Sequence, residues 1–471
     1  MPARCDRRPG SARAKARGSG RRDVTYARVG VGPLYSGAIW FEQEDTAGSL
    51  KALEQALEIS RRTGDRQLET GVLADQSMFM SQDFNPDGAV DLGLQAIELA
   101  RETDQPVEEA SSHSSVAVAL TALGDSDAAW QHTEAGRRVN EKIGRSQVGL
   151  LYLQYIIAYL RGDRATMDEL GEILENEAPD DTVIRLTVGI GAWHTDKRSG
   201  LDELVQAAQE AAQNVPLVRQ RAANLARLAM AARLMDRPQD AIRAAEMARS
   251  LLSLPKVTSL IEVSARVTAG LAAVATGEAQ EAMDHYRWLK NLRGPGSGSG
   301  FPISADHLLG LLAHTAGMPA EATTHFEDAL KFNGKAGYRL EEAWTCHDYA
   351  ESLLDSDEPA NFEKAVSLIN DGLEISRELG LVAIEKRLIT LQEKAASMAA
   401  PAAAYPDGLT GREVEVLRLL AAGRTNQQIA DDLVIAPSTA AKHVANILGK
   451  TGSSNRAEAA TYANQQGLVK A

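Results

Sequence analysis

The run Val116-Ala-Val-Ala-Leu-Thr-Ala-Leu-Gly124-Asp125-Ser-Asp-Ala128-Ala-Trp-Gln-His-Thr-Glu-Ala135 holds the pattern from which most of the chain is built. An Ala- and Leu-rich segment is interrupted at Gly124-Asp125 and resumes with Ala128 and Ala135, seven residues apart. Small residues at i and i+7 lie on one stripe of a helix and let a neighbouring helix pack closely. The stretch before the break, Val107 to Leu123, reads as a second amphipathic helix. The unit is therefore helix, tight turn, helix.

The same break recurs in both directions. It falls at Thr46-Ala47, Asp87-Gly88, Gly124-Asp125, Gly162-Asp163, Ser199-Gly200, Arg237-Pro238, Gly277-Glu278, Gly317-Met318 and Asp357-Glu358, at intervals of 37 to 41 residues. The small or apolar pairs Ala241 and Ala248, Ala282 and Leu289, Ala322 and Ala329, and Ala365 and Leu373 repeat the stripe after the break, and Tyr338 to Leu354 repeats the helix before one. Two helices per ~39 residues are the signature of a helical solenoid, and the array resembles the tetratricopeptide class, whose period is about 34. The predicted array spans residues 31–397 and the fold is all-α. Such arrays present a concave groove lined by the first helix of each pair. Tyr152, Tyr155, Tyr159 and Trp193 fall on first helices, where they either face that groove or fill the core between repeats.

Composition agrees with this reading and removes other classes. The 471 residues amount to roughly three domains' worth of chain. With aromatics at 5% and hydrophobic residues at 44%, the balance leans to helix in an ordinary globular core. Two cysteines, Cys5 and Cys346, cannot make a disulfide framework, which points to a reducing cytoplasm. The apolar stretch Gly149 to Leu160 contains Gln154 and is too short to span a bilayer, so no membrane partner is expected. The net charge of −14 is unevenly spread: +7 over residues 1–28, +1 over 407–471 and −22 between them. An acidic body confines any DNA contact to an end of the chain. Residues 1–30, rich in Arg, Gly and Ala without apolar periodicity, read as a disordered basic tail or as translation from a start placed too far upstream.

Catalytic and ligand signatures are not found. Gly294-Pro-Gly-Ser-Gly-Ser-Gly300 lacks the Lys-Ser/Thr that a phosphate loop requires and sits between helices, so it is read as a connector. No Cys-x2-Cys or His-x3-His pair supplies metal-ligand spacing, and Cys346-His347 point in different directions on a helix. No Gly-x-Ser-x-Gly elbow occurs. The expectation is a non-enzyme with no cofactor and no metal.

Past a Pro/Ala-rich linker at 398–408 the character changes. Thr410 and Glu413 form a capping box, with Leu409 placed to staple onto Val414, and that helix ends near Ala422-Gly423. A second helix starts at Thr425 with Gln428 as its box partner and buries Ile429, Ala430 and Leu433. After a break at 434–436, Pro437 opens a third, cationic helix, Ser438 to about Lys450, which buries Val444, Ile447 and Leu448. A fourth runs from about Arg456 to Asn464. Two short helices, a tight turn and a cationic third helix are the plan of a helix-turn-helix.

Residues 409–471 resemble the LuxR-type DNA-binding domain. The resemblance rests on Leu409-Thr410, Arg412-Glu413, Val416-Leu417, Ala422-Gly423, Asn426, Ile429-Ala430, Leu433, Thr439, His443, Asn446-Ile447, Lys450 and Arg456-Ala457-Glu458-Ala459. It implies a scaffold helix Thr425 to Leu433 and a recognition helix Ser438 to Lys450. Base-facing positions then fall on Ala441, Lys442 and Ala445, with Lys442 able to donate to guanine O6/N7. Thr439, His443, Asn446 and Lys450 would hold phosphates or stabilise the helix, and Thr410, Arg424 and Asn426 would fix register on the backbone. The full implied contact set is Thr410, Arg424, Thr425, Asn426, Ser438, Thr439, Ala440, Ala441, Lys442, His443, Ala445, Asn446 and Lys450. The chain departs from the family's usual Thr-Val-Lys at Thr439-Ala440-Ala441, and Ala436 replaces a frequent capping Ser at a cost of ~1 kcal/mol. With so few cations, dimerisation through the fourth helix and paired half-sites are expected.

The two parts together resemble the C-terminal half of the large ATP-binding LuxR regulators, without their NTPase domain. The expected function is a bacterial transcription regulator whose array senses a protein or small-molecule partner and controls a double-stranded-DNA-binding dimer, coupled through the linker by effective concentration. Two alternatives stand beside it: an interaction scaffold with a degenerate DNA module, and the C-terminal fragment of a larger ATPase- or cyclase-linked regulator.

Overall fold

The structure, a computed structural model, describes residues 46–468 except 83–84, 196–200, 215–217, 255–256, 258, 291–302, 356–358, 400–404 and 434–436. The basic tail 1–30, Cys5, the connector 294–300 and the breaks expected at Ser199-Gly200 and Asp357-Glu358 lie outside the described residues, as does the break at 434–436. Twenty-two α-helices and no strand occur among the described residues.

The residues at the breaks explain where helices stop and start. Gly124 and Gly162 end their helices with φ of 79° and 73°, a left-handed conformation that glycine adopts without a Cβ penalty. The next residues, Asp125 and Asp163, then accept the backbone N–H of Ala128 and Thr166. A Gly-Asp pair thus closes one helix and caps the next within two residues, each cap contributing about 1 kcal/mol. Elsewhere Pro106, Pro238 and Pro319 open helices at their first turn. The break expected at Asp87-Gly88 lies slightly earlier. Asn85 is the cap, its side chain accepting from Gly88 N, so Asp87 and Gly88 form the first turn of Pro86–Glu102.

Successive helices form antiparallel pairs from Arg66–Gln82 with Pro86–Glu102 to Arg339–Leu354 with Pro359–Leu379, preceded by Thr46–Thr63 and followed by Val382–Ala399. The two members of a pair differ in how they are buried. Second helices bury one stripe, as Pro238–Leu252 does with Ala241, Ala244, Ala245, Ala248 and Leu251. In Ser126–Lys142 the stripe runs through Ala129, Thr133, Gly136 and Asn140, one residue beyond the expected Ala128/Ala135 register. Gly136 carries no side chain where His113 and Leu150 press in. First helices are buried nearly all round: Val148–Arg161 buries Leu150 to Tyr152 and Gln154 to Leu160 without a gap. A helix buried on every side needs neighbours on every side.

Those neighbours come from the far end of the array. Arg339–Leu354 packs on Val148–Arg161, and Val382–Ala399 packs on Thr182–His194. Along the edge, Ser126 Oγ donates to Ala336 O at 3.1 Å and Tyr338 Oη donates to Thr121 O at 2.6 Å, across 210 and 217 residues of sequence. The array closes on itself, and one continuous core runs from Leu151 to Ala395. Where an open groove was expected, first helices from both halves meet. Tyr152, Tyr155, Tyr159 and Trp193 are all buried there. Tyr159 Oη bonds His194 Nε2 at 2.9 Å, and Tyr155 Oη donates to Val188 O.

Among the described residues one helix, Ser259–Thr276, has the length and apolarity to cross a bilayer. It packs between Val218–Leu234 and Ala305–Thr315, with Ala265, Ala269 and Leu271 buried. The expected linker is structured at both ends: Val382–Ala399 extends through its first residues, and Tyr405 and the turn Pro406–Gly408 pack on the C-terminal module.

Candidate nucleic-acid interface

Four helices, Gly411–Ala421, Asn426–Leu433, Pro437–Thr451 and Arg456–Gln465, enclose a separate small core. Leu409, Val414, Val416, Leu417, Leu420, Ile429, Ala430, Val444, Ile447, Ala459 and Ala463 are buried in it, whereas Leu433 and Leu448 are half-buried. The start signals act as their sequence implies. Thr410 and Glu413 form a reciprocal capping box, and Thr425 and Gln428 exchange the equivalent bonds at 2.9 and 3.3 Å. Asn455 caps the fourth helix by accepting from Glu458 N.

Two polar clamps fix the helices relative to one another. The buried Glu413 Oε2 accepts from Thr410 N at 2.8 Å, Thr410 Oγ1 at 3.0 Å and Lys450 Nζ at 2.7 Å. Burial pushes the Glu413 carboxyl up, and the Lys450 ammonium with the two Thr410 donors more than offsets this, holding it below the usual range. The end of the third helix is thereby tied to the start of the first. The second clamp is Arg456, which donates to Asn426 Oδ1 at 2.7 Å and Arg424 O at 2.6 Å, tying the fourth helix to the start of the second. Neither clamp is legible from the chain alone, since its partners lie 30 to 37 residues apart.

The third helix turns two faces. Ala440, Val444 and Ile447 point into the core, while Ala441, Lys442, Ala445 and Asn446 are exposed together and His443 is half-buried beside them. Residues 407–463 match the family described as bacterial regulatory proteins, luxR family.

The C-terminal unit is a LuxR-type helix-turn-helix domain.

The chain is 44% identical over 63 residues to the transcriptional regulatory protein LiaR of Bacillus subtilis, covering 13% of this chain and 30% of LiaR. It is 36% identical over 99 residues to the DNA-binding transcriptional activator DevR/DosR of Mycobacterium tuberculosis, covering 20% and 46%. Over 62 residues it is 44% identical to the response regulator protein VraR of Staphylococcus aureus, covering 13% and 30%. It spans less than half the length of each of these relatives.

The LuxR-type domain sorts the expected contact residues into three groups. Ala441, Lys442, Ala445 and Asn446 lie on the open face of the third helix, with Arg424 and Thr425 exposed at the start of the second. Thr410, Asn426 and Lys450 hold the domain together through the bonds above. Ala440 leaves the set: it is fully buried, so its methyl packs in the core and cannot reach a base. The side chains of Ser438 and Thr439 lie outside the described residues. Most cations of the domain are already engaged. Arg412 pairs with Glu415, Arg424 with Asp432 and Lys450 with Glu413, while Arg418 donates to Leu468 O. Among the described cations of the domain, Lys442 alone shows no internal partner.

A second polar cluster lies inside the array. His307 bonds Glu341 Oε1 at 2.8 Å and Asp348 Oδ2 at 2.7 Å, and Asp348 also accepts from Arg233 and from His347 Nδ1. Burial lowers the pKa of His307, yet the two carboxylates override it and raise it to about 9. Burial pushes Asp348 up, and Arg233, His307 and His347 together hold it well below the usual range. His347, Asp348 and Glu351 bring ligand atoms within 4.8 Å of one another, a proximity the spacing did not predict. Because Asp348 is already engaged by three donors, this is an ion-pair network of the core.

Proposed function

We propose that the chain is a transcriptional regulator whose exposed recognition-helix face, Ala441, Lys442, Ala445 and Asn446, enters the major groove. The observation that carries this reading is that one helix of a LuxR-type domain presents its unpaired cation and two methyl groups on one open strip. Lys442 donates to guanine O6/N7 and an alanine methyl meets a thymine methyl. Asn446 and His443 contact phosphates, and Arg424 exchanges Asp432 for phosphate when DNA is bound.

A module with one uncommitted cation gains little from counterion release, so one copy binds weakly and two copies act together. The fourth helix offers the surface for that dimer, with Ala457, Thr461 and Asn464 exposed along it. The acidic array, of the tetratricopeptide-like kind, takes the protein or small-molecule partner, and the setting is a bacterial cytoplasm. The testing experiment is selection of the full chain against a randomised DNA pool at two salt concentrations. A paired motif whose affinity falls with salt supports the reading, and no enrichment by a folded chain defeats it.

A further inference from the structure

His113 and His132 meet between Pro106–Leu123 and Ser126–Lys142, the two members of one helix pair, with their Nδ1 atoms 2.9 Å apart. Gly136 makes the approach possible. It lies one turn after His132 on the same helix face, and a Cβ there would come within 3.2 Å of His113 Cβ. Among the described histidines no other two rings bond each other. Nineteen residues separate the pair, so no short ligand spacing in the sequence announces it.

The surroundings fix the protons. Arg101 Nη2 lies 3.4 Å from His113 Nε2 and can only donate, so Nε2 accepts and Nδ1 carries the hydrogen that bonds His132. His132 Nδ1 is then a lone pair. Glu109 stands beside both groups, its Oε1 2.6 Å from Arg101 Nε and 3.9 Å from His113 Nε2. Burial, the second ring and Arg101 lower the pKa of His113 to about 3, and burial with Arg101 lowers that of His132. Both rings are therefore neutral at pH 7, the state in which imidazole ligates a metal. His113 is buried and His132 half-buried, so the pair is reached from solvent along the His132 side.

We propose that His113 and His132 form a binding site for a divalent transition cation of the class that favours imidazole: copper, nickel or zinc. Two nitrogens each about 2.05 Å from one ion stand about 2.9 Å apart when they subtend about 90°, and about 3.3 Å apart at the tetrahedral angle. The observed 2.9 Å matches the first value, so the rings need to tilt but the helices need not part. On binding, the hydrogen of His113 moves through solvent from Nδ1 to Nε2, and both Nδ1 lone pairs turn to the ion. No net proton is released. Arg101, whose side chain is 58% exposed, swings aside, and Glu109 accepts from the new Nε2–H. The result is a carboxylate–histidine–metal arrangement, with water in the remaining positions. The site does not rest on the DNA-binding reading above.

Copper(II) chloride titrated into the full chain, followed by electron paramagnetic resonance, tests the site. The first equivalent should show hyperfine splitting from two nitrogens. The cluster of His347, Asp348 and Glu351 offers a single imidazole and would show one. His132→Ala should remove one nitrogen from the pattern and weaken binding at least tenfold. His132→Asn, which keeps an acceptor for His113 and so spares the fold, should do the same. Glu109→Gln should keep both nitrogens and weaken binding about tenfold, as loss of an outer-shell carboxylate does. Zinc chloride should displace the copper and magnesium chloride should not. A first equivalent without two-nitrogen splitting overturns the site, as does unchanged binding in a folded His132 variant. Displacement by magnesium as readily as by zinc would place the ion on carboxylates and overturn it too.

Discussion

Arg233 and Asp348 form an ion pair buried at the centre of the array although 115 residues separate them. Asp348 is shared among Arg233, His307 and His347, which sit on three different helices. One carboxylate therefore joins both halves of the ring. Removing it leaves Arg233 without its counter-charge in the interior and His307 with Glu341 alone. Asp348→Ala should destabilise the array by about 3–5 kcal/mol. Urea unfolding checks this, and a loss under 1 kcal/mol would show that water or rearrangement replaces the carboxylate.

The pH profile should be a dome. His307 is raised from 6.5 to about 9 in the folded state, so its stabilisation is complete below pH 6.5 and is lost as pH rises through 9. Burial lowers His113 and His194 to about 3, so they favour the fold above pH 6.5 and weaken it as pH falls towards 3. The melting temperature should be highest near neutrality. His307→Gln should flatten the alkaline side of the curve and leave the acid side unchanged.

Lys442→Ala should weaken specific DNA binding by about 1–3 kcal/mol and relax sequence preference at its base pair, without changing thermal stability. Fluorescence anisotropy on specific and scrambled DNA separates those effects. Equal losses on both sequences would make Lys442 a phosphate contact.

Lys450→Ala should act through stability instead. Lys450 is held by Glu413 Oε2 and Gly408 O, and its loss leaves a buried carboxylate short of a donor at about 1–3 kcal/mol. The domain should melt earlier while the salt dependence of DNA binding keeps its slope. A slope reduced by about 1 would place Lys450 on a phosphate.

Local chemistry was legible in the sequence because it acts over a few residues. The Gly124-Asp125 and Gly162-Asp163 turns, the capping boxes at Thr410/Glu413 and Thr425/Gln428, and the alanine stripe of Pro238–Leu252 each depend on positions within a turn or two of helix. The all-α fold and the helix pairs follow from them, whereas the LuxR-type domain rests on the family match of residues 407–463. The Asn85 cap was missed by two residues because Asp87-Gly88 also has the composition of a turn.

What joins distant segments was decided only by the tertiary structure. Lys450 reads from the sequence as either a phosphate ligand or a stabiliser of the helix, and only the fold brings Glu413, 37 residues earlier, to its ammonium. Tyr159 and Trp193 were compatible with either a groove or a core, because a first helix is lined the same way whether its inner face meets a ligand or another helix. Closure of the ring settles that choice. Closure depends on the small rotation between successive helix pairs, summed over the whole array, and no local run of residues encodes that sum.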